Sequence, residues 1–195
     1  AIAMDEGLAD GHALLGNFYS LKGEHDKALA EGERAVALNP GDWSALMAYA
    51  ESLRYAGRPE EAIPLFQKAI RLTPFGASVL YRQFGTALRN TRRFEEAVSA
   101  YKKAIQLSPD NISAHIHLTA TYIMMGREKE ARAEAAEVLR INPKFSVDSW
   151  EKILPYKDQS VTDKFVAALR KAGLKWDSIT RGKKNETLFD PARGG

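Results

Sequence analysis

Four prolines recur along the chain at a nearly constant spacing, which constrains the fold more than any other feature of the sequence. They are separated by 34, 35 and 34 residues, at Pro40, Pro74, Pro109 and Pro143. An alanine precedes each proline by twelve residues, at Ala28, Ala62, Ala97 and Ala131. A repeat of about 34 residues with such landmarks predicts a solenoid of helix–turn–helix units. Each unit of such an array buries its apolar face against its neighbours, so we expect no single central core.

The residues within each unit support two packed helices. Small side chains recur in the first helix, at Gly16, Ala50, Gly85 and Thr119. Bulky side chains stand immediately before them, at Leu15, Tyr49, Phe84 and Leu118. Small residues allow two helices to approach closely, and bulky residues on the same stripe fill the contact. The second helix contributes the alanine that stands twelve residues before each proline.

The turn between the two helices carries a residue suited to a helix C-terminus. Three of the four units have glycine there, at Gly23, Gly57 and Gly126, while the third unit has Arg92. Glycine adopts the left-handed conformation that commonly ends a helix without steric cost. The sequence therefore predicts a less regular turn in the third unit.

These features over residues 9–145 resemble the tetratricopeptide repeat family. The resemblance implies an all-α, right-handed solenoid of helix–turn–helix repeats with a C-terminal helical cap. We expect repeats at residues 9–42, 43–77, 78–111 and 112–145, a cap at 146–174 and a flexible tail at 175–195. Gly32 and Ala135 stand where the family usually has a large residue, so looser packing is expected in the first and fourth repeats.

The two ends of the chain carry further expectations. Residues 1–8 continue the repeat register backwards, which predicts the end of a truncated upstream repeat and a chain excised from a longer bacterial protein. In the cap, residues 146–154 are expected to form a short helix. A second helix carries Val161, Phe165 and Leu169 on one stripe, with Asp158 or Ser160 as its N-cap.

A second, shorter resemblance concerns the cap. Residues 145–150, 154–158 and 169–174 are similar to the C-terminal end of bacterial proteins in which a class III adenylate or guanylate cyclase domain precedes a tetratricopeptide array. This similarity includes no catalytic residue. It implies that the chain acts as a regulatory or dimerising arm of a nucleotide cyclase, which we keep as the alternative function.

Composition and motifs argue against several other functions. The chain lacks cysteine, carries a net charge of +3 from 28 basic and 25 acidic residues, and has no apolar run of about 18 residues. These features predict no thiolate metal site, no nucleic-acid partner and no membrane span. His115 and His117 are two residues apart and point to different helix faces, so no metal pair is expected. Nor does any catalytic or phosphate-binding motif stand out, so the fragment is interpreted as a non-enzyme without cofactor. A cytoplasmic location is favoured, with a periplasmic one left open.

The family resemblance implies that the first helices line a concave groove. The expected groove residues are Asn17, Met47, Glu51, Arg54, Tyr55, Arg82, Gln83, Arg89, Ile116, His117 and Met124. Arginine suits carboxylates, while aromatic and methionine side chains provide adaptable apolar contact. A peptide or helix with acidic and apolar residues is therefore the expected partner, and self-association stays open.

Two alternatives remain for these groove positions. The arginines could simply be solvated, and Ile123 and Met124 could pack against the cap as core. Some family members bind acidic chaperone tails through a clamp of lysine, asparagine and arginine residues. This sequence does not contain the complete clamp. Asn17 matches its asparagine, but Ala13, Val79 and Gln83 replace its charged residues.

Overall fold

The computed structural model describes residues 2–73, 77–147 and 154–174, all of them helical or in short connections. The helices within these ranges are α1 (Ile2–Leu21), α2 (His25–Leu38), α3 (Trp43–Tyr55), α4 (Pro59–Leu72), α5 (Ser78–Asn90), α6 (Phe94–Leu107), α7 (Ile112–Met124), α8 (Glu128–Ile141) and α9 (Gln159–Lys171). None of these helices is long and apolar enough to cross a membrane. The predicted short cap helix at 146–154 and the tail at 175–195 lie mostly or wholly outside the described residues.

The helices pack as four consecutive antiparallel pairs. Each odd-numbered helix from α1 to α7 contacts the even-numbered helix that follows it, and α3, α5 and α7 also contact the even-numbered helix before them. The odd-numbered helices contact one another as well, from α1 to α3, α3 to α5 and α5 to α7. They therefore form one continuous inner layer, which confirms the predicted solenoid of paired helices.

The second helix of every pair stops two residues before its closing proline position. α2, α4, α6 and α8 end at Leu38, Leu72, Leu107 and Ile141. Proline disfavours helical backbone at the residue before it, which accounts for this shared end point.

The turn of the third repeat is as regular as the others, contrary to the sequence-based expectation. Arg92 adopts φ of 62°, and the glycines at the equivalent positions have φ between 74° and 84°. The Arg92 amide donates to the Arg89 carbonyl at 2.9 Å, as the Gly57 amide donates to Arg54 at 3.3 Å. Arg92 thus adopts a left-handed backbone conformation, in which glycine is normally preferred, because the hydrogen bonds of the turn require this conformation.

Close helix contacts occur at the predicted small residues. A Cβ atom added to Gly85 would lie 2.8 Å from Cε1 of Tyr101, so only glycine allows the α5–α6 contact seen here. The expectation of loose packing at Gly32 is wrong, because a Cβ there would lie 2.7 Å from Cδ2 of Tyr49. The bulky side chain of the next repeat fills the space that the missing side chain leaves.

The first helix differs from the expectation at its N-terminal end. Residues 2–21 form one continuous helix, whereas the repeat register predicted a break between an upstream second helix and a helix that starts at residue 9. The backbone of residues 2–8 is therefore part of α1. Whether a further repeat precedes this helix stays a prediction.

The C-terminal helix closes the other end of the array. α9 packs against α7 and buries Phe165, Val166 and Leu169 in the continuous core. Its N-cap is Asp158, whose side chain accepts a hydrogen bond from the Ser160 amide at 2.9 Å, as the sequence allowed. The segment 154–158, which precedes α9, has no regular secondary structure.

Candidate functional site: the concave cavity

The structure divides the expected groove residues into two classes of burial. Five are buried, namely Arg54, Gln83, Arg89, Ile116 and His117. Six stay partly exposed, namely Asn17, Met47, Glu51, Tyr55, Arg82 and Met124. Most of the partly exposed residues belong to α1, α3 and α5. The accessible part of the inner layer therefore lies towards the N-terminal half of the array.

The cap seals the C-terminal part of the inner layer. Ile116 belongs to the apolar core, and the ring of His117 lies between Tyr101 and Phe165, with ring centroids 5.8 and 5.0 Å away. The Arg89 guanidinium stands 4.6 Å over the Phe165 ring. Met124, with Ile123, lines a separate cleft beside α9. His117 thus contacts α9, the last of the described helices, through Phe165.

A segment of the chain itself lies across the inner layer. Tyr156 is buried, its hydroxyl accepts a hydrogen bond from Nη1 of Arg54, and Asn90 donates to the same hydroxyl at 3.2 Å. The amide of Lys157 donates to the Tyr55 carbonyl at 2.9 Å, and the rings of Tyr55 and Tyr156 meet edge to face at 5.2 Å. The segment before α9 therefore reaches back to α3, two repeats away.

Between this segment and the inner helices lies a cavity of about 370 Å³. Its lining residues are Leu21, Arg54, Tyr55, Arg82, Gln83, Thr86, Arg89, Ser113, His117, Leu154 and Tyr156. Six of the expected groove residues meet here, from α3, α5 and α7. The structure thus brings the predicted arginines together around one partly open cavity, whose lining also includes apolar surface.

The cavity holds three arginines of different burial. Arg54 and Arg89 are 2% and 4% exposed, whereas Arg82 is half-buried. Arg82 donates to Oε1 of Gln83 at 3.2 Å, and Arg89 donates to Nδ1 of His117 at 3.1 Å. Because arginine has no acceptor, Nδ1 of His117 must be unprotonated in this contact.

The one carboxylate in contact with these arginines among the described residues is Glu51. Its Oε1 lies 3.9 Å from Nη2 of Arg54, which is a long ion pair. Burial raises the pKa of Glu51, and the neighbouring arginines only partly oppose this shift. Burial lowers the pKa of Arg82, with Glu51 acting in the opposite direction. The raised pKa of Glu51 and the lowered pKa of Arg82 both indicate that these charges are incompletely compensated.

The histidine in the cavity is neutral. Burial, followed by the charges of Arg89, Arg82 and Arg54, lowers the pKa of His117 well below its ordinary value. A neutral imidazole can accept from Arg89 without adding positive charge to the cavity.

An exposed apolar surface adjoins the cavity on α1. Leu14 and Leu21 are 69% and 70% exposed, and their spacing of seven residues places them on one helix face. Leu21 lines the cavity, and Leu14 lines a separate surface pocket with Leu15 and Phe18. Large exposed apolar groups of this kind commonly mark interaction surfaces.

The sequence-based site missed Tyr156 and Leu14. Tyr156 stands in a segment assigned to the cap, and no repeat position indicates that it returns to α3. A buried tyrosine commonly finds a partner for its hydroxyl, which was the one available signal. Leu14 occupies an inner-layer position of the first repeat, but it was left out of the expected set.

Two of the other histidines, His12 and His115, have structural roles. His12 and His115 occupy the same repeat position, and each bonds through Nδ1 to a glutamate of its second helix, Glu31 at 2.5 Å and Glu134 at 2.7 Å. These pairs confirm the interpretation of both residues as repeat packing. Across residues 2–73, 77–147 and 154–174, no cluster of three potential metal-binding side chains occurs.

Sequence comparisons match the repeat region in three stretches. Tetratricopeptide repeat family profiles match residues 9–42, 43–110 and 91–149. A Rhizobium meliloti (strain 1021) protein, provisionally named adenylate cyclase 3, is 48% identical over 44 residues. That match covers 23% of this chain and 8% of the relative.

Solved structures with similar folds cover most of the chain. A crystal structure of MamA has a TM-score of 0.63 at 22% identity, covering 94% of this chain and 98% of that one. PilF of Pseudomonas aeruginosa has a TM-score of 0.66 at 20% identity, covering 87% and 78%. YrrB, described as a TPR protein with an unusual peptide-binding site, has a TM-score of 0.56 at 22% identity, covering 83% and 82%. At these identities, the similarities concern the fold.

Proposed function

The chain belongs to the tetratricopeptide repeat family, and from this premise we propose that it is a protein–protein interaction module that binds a peptide or helix on its inner layer. Binding is non-covalent and uses the exposed face of α1 together with the mouth of the concave cavity. The observation that carries this proposal is that the exposed Leu21, which shares a helix face with the exposed Leu14, lines the concave cavity.

The chemistry of this surface favours a partner with apolar and acidic residues. Leu14, Leu21 and the half-exposed Met47 offer apolar contacts, and Arg82 offers a partly accessible cation beside them. Apolar anchors provide most of the affinity in a peptide groove, and charged groups select the partner. The peptide-binding site described for YrrB is consistent with this use of the fold.

The chain's own segment shows what the inner layer accepts. Tyr156 lies on α3 and α5 through ring packing and through hydrogen bonds to its hydroxyl, and Lys157 binds a backbone carbonyl. An extended stretch with an aromatic residue and an acceptor at its tip therefore fits the inner layer. We expect the partner to extend this segment along the groove towards α1.

The test uses peptides selected from a random 12-residue library on the intact chain. Their affinity for the wild type and for Leu21→Ser is measured by fluorescence anisotropy. We expect Leu21→Ser to weaken binding by about tenfold or more, because it removes an exposed apolar anchor without disturbing the core. The matched control is Leu72→Ser, an exposed leucine near the C-terminus of α4.

The result that would contradict the proposal is an equal affinity of both variants, or the absence of any selectable peptide. Charge reversal at Arg54 or Arg89 is not a suitable test. Both guanidinium groups are buried, so a carboxylate in their place would destabilise the fold itself.

A second candidate function rests on the Rhizobium meliloti match. In this alternative, the chain is the regulatory or dimerising arm of a larger bacterial protein with a nucleotide cyclase domain. The 8% coverage of that relative leaves its activity as a proposal for this chain. Light scattering over a wide range of protein concentration tests the dimerising form, which a concentration-independent monomer would exclude.

A further inference from the structure

The concave cavity contains more positive charge than its described neighbours neutralise. Arg54, Arg82 and Arg89 line it, and Glu51 is the one carboxylate that contacts them in the described ranges. His117 contributes no negative charge, and Tyr156 as a phenol offers an acceptor without a charge. Buried charges in folded proteins are nearly always paired, so this excess calls for an explanation.

The hydrogen bonds of the arginines are also incomplete. Nε of Arg54 is buried and has no hydrogen-bond partner among the described residues. Nη2 of the same guanidinium lies 3.5 Å from Gln83 and 3.9 Å from Glu51, both at the long end of polar contacts. Among the described residues, Arg82 has one side-chain hydrogen-bond acceptor, Oε1 of Gln83. Arginine donors normally bind carboxylates through short, paired hydrogen bonds, which this site lacks.

We propose that the cavity binds the carboxylate of an acidic side chain of the partner peptide, with the half-buried Arg82 as its donor. This inference rests on the proposed function, in which the chain binds a peptide. It specifies that the peptide inserts a carboxylate and that the concave cavity receives it. The volume of about 370 Å³ lies in the range of roughly 300–1,000 Å³ that ligand pockets occupy.

The position of the cavity explains how such a group would enter. Leu21, which is 70% exposed, lines the cavity from α1, and Leu154 and Tyr156 line it from the segment before α9. A peptide that packs on Leu14 and Leu21 would therefore deliver its acidic residue to Arg82, the most exposed of the three arginines. A phosphate group presents the same oxyanion chemistry, so the experiment must distinguish the two.

The test begins with small probes and the intact chain. N-acetyl-glutamate N-methylamide, its glutamine analogue and inorganic phosphate are titrated at constant ionic strength maintained with chloride. Arginine Nε–H resonances and the melting temperature are recorded. We expect saturable shifts of the Arg82 resonance and a rise in melting temperature with the glutamate probe, and neither effect with the glutamine analogue.

The variant Arg82→Gln separates a binding role from a purely structural one. We expect it to weaken the glutamate probe by about tenfold or more, because one charged donor is lost. In probe-free buffer, the same variant should melt at a higher temperature than the wild type, because it removes an uncompensated charge. The control is Arg71→Gln, an exposed arginine of α4, for which neither change is expected.

Three outcomes would overturn the inference. If chloride or the glutamine analogue gives the same response as glutamate, the cavity has no specific carboxylate site. If Arg82→Gln binds the glutamate probe with unchanged affinity, the carboxylate binds away from Arg82. A response to phosphate alone would replace the carboxylate by a phosphate group.

Selected library peptides distinguish this inference from the proposed function. If they bind equally well after each of their glutamates and aspartates is replaced by the amide, the proposed function stands and the carboxylate assignment fails. If no peptide is selected while the glutamate probe still binds, the proposed function fails and the carboxylate assignment stands.

Discussion

The two ends of this helical array differ in the solvent exposure of their apolar residues. At the C-terminal end, α9 covers α7, and Phe165 is 1% exposed. At the N-terminal end, α1 presents Leu14, Leu15 and Phe18 to solvent, with Phe18 50% exposed. Leu15 and the buried Leu118 occupy the same repeat position, and within the described residues α6 packs against the helix that carries Leu118. The burial of a repeat residue thus depends on its neighbouring helices as much as on its own sequence.

The outer face of α9 completes this contrast. Asp163, Lys164 and Lys171 are exposed, as the sequence predicted for a cap, and Arg170 is half-buried. Nζ of Lys171 pairs with Glu128 at 2.9 Å, which ties the cap to the start of α8. The C-terminal end therefore presents charged groups where the N-terminal end presents leucines.

The largest expected difference between the two ends is in the free energy of unfolding. Phe165→Ala should cost about 3 to 5 kcal/mol, because it leaves a cavity among packed rings. Phe18→Ala should change stability by no more than about 0.5 kcal/mol, because half of that ring is already solvated. Urea unfolding followed by circular dichroism gives both values. Equal costs would mean that the two ends are equally buried in solution.

The segment before α9 can be tested through a single hydroxyl group. Tyr156→Phe should destabilise the protein by about 1.5 to 3 kcal/mol, because Arg54 loses a buried acceptor. Tyr81→Phe, a half-buried tyrosine on α5, is the matched control and should change little. If the two variants unfold alike, the cap does not reach back to α3 as the structure shows.

The two histidines of α7 should give stability profiles with opposite dependence on pH. The pKa of His117 is lowered, so below about pH 6.5 the unfolded state binds a proton that the folded state rejects, and stability falls with falling pH. The hydrogen bond with Glu134 raises the pKa of His115, despite the opposing effect of burial. Its contribution is complete below pH 6.5 and is lost as the pH rises through the folded-state value.

The measurement is the free energy of unfolding between pH 5 and 8 for each histidine variant. Relative to the wild type, His117→Asn should gain stability as the pH falls, and His115→Asn should lose it. A single proton limits each slope to about 1.4 kcal/mol per pH unit. Parallel curves for the two variants and the wild type would contradict both assigned directions.

The smallest expected effect concerns the third turn, which lies between the two ends. Arg92→Gly should stabilise the protein by about 1 kcal/mol, because glycine adopts the left-handed backbone without the strain of a side chain. Gly57→Arg, the reverse change in the second repeat, should destabilise it by a similar amount. A loss of stability in Arg92→Gly would show that the arginine side chain contributes more than its backbone costs.

Much of the fold could be predicted from the sequence because the determinants of a repeat are local. The spacing of Pro40 and its equivalents fixed the helix ends, and Gly85 marked a contact that no larger residue permits. The start of α1 could not be placed in this way. The repeat register predicted a break near residue 8, but Glu6 stands where the other units have proline, and residues 2–8 continue the helix.

The candidate site was only partly predictable. The inner-layer positions followed from the repeat register, which is why Arg54, Arg82 and Arg89 were named together. Their burial was not predictable, since it results from the return of Tyr156 across two repeats. A contact between residues 102 positions apart leaves no trace in a periodic pattern.

The sequence by itself determined the repeat spacing, the paired helices and the residue types that face the inner layer, because each depends on interactions within about 34 residues. The tertiary structure decided which of these inner residues are accessible. It buried His117, Arg54 and Arg89, whereas it left Arg82 partly accessible and Leu14 and Leu21 exposed. The reason is that accessibility depends on which segments meet in space, and the cap and the first helix meet the inner layer from opposite ends.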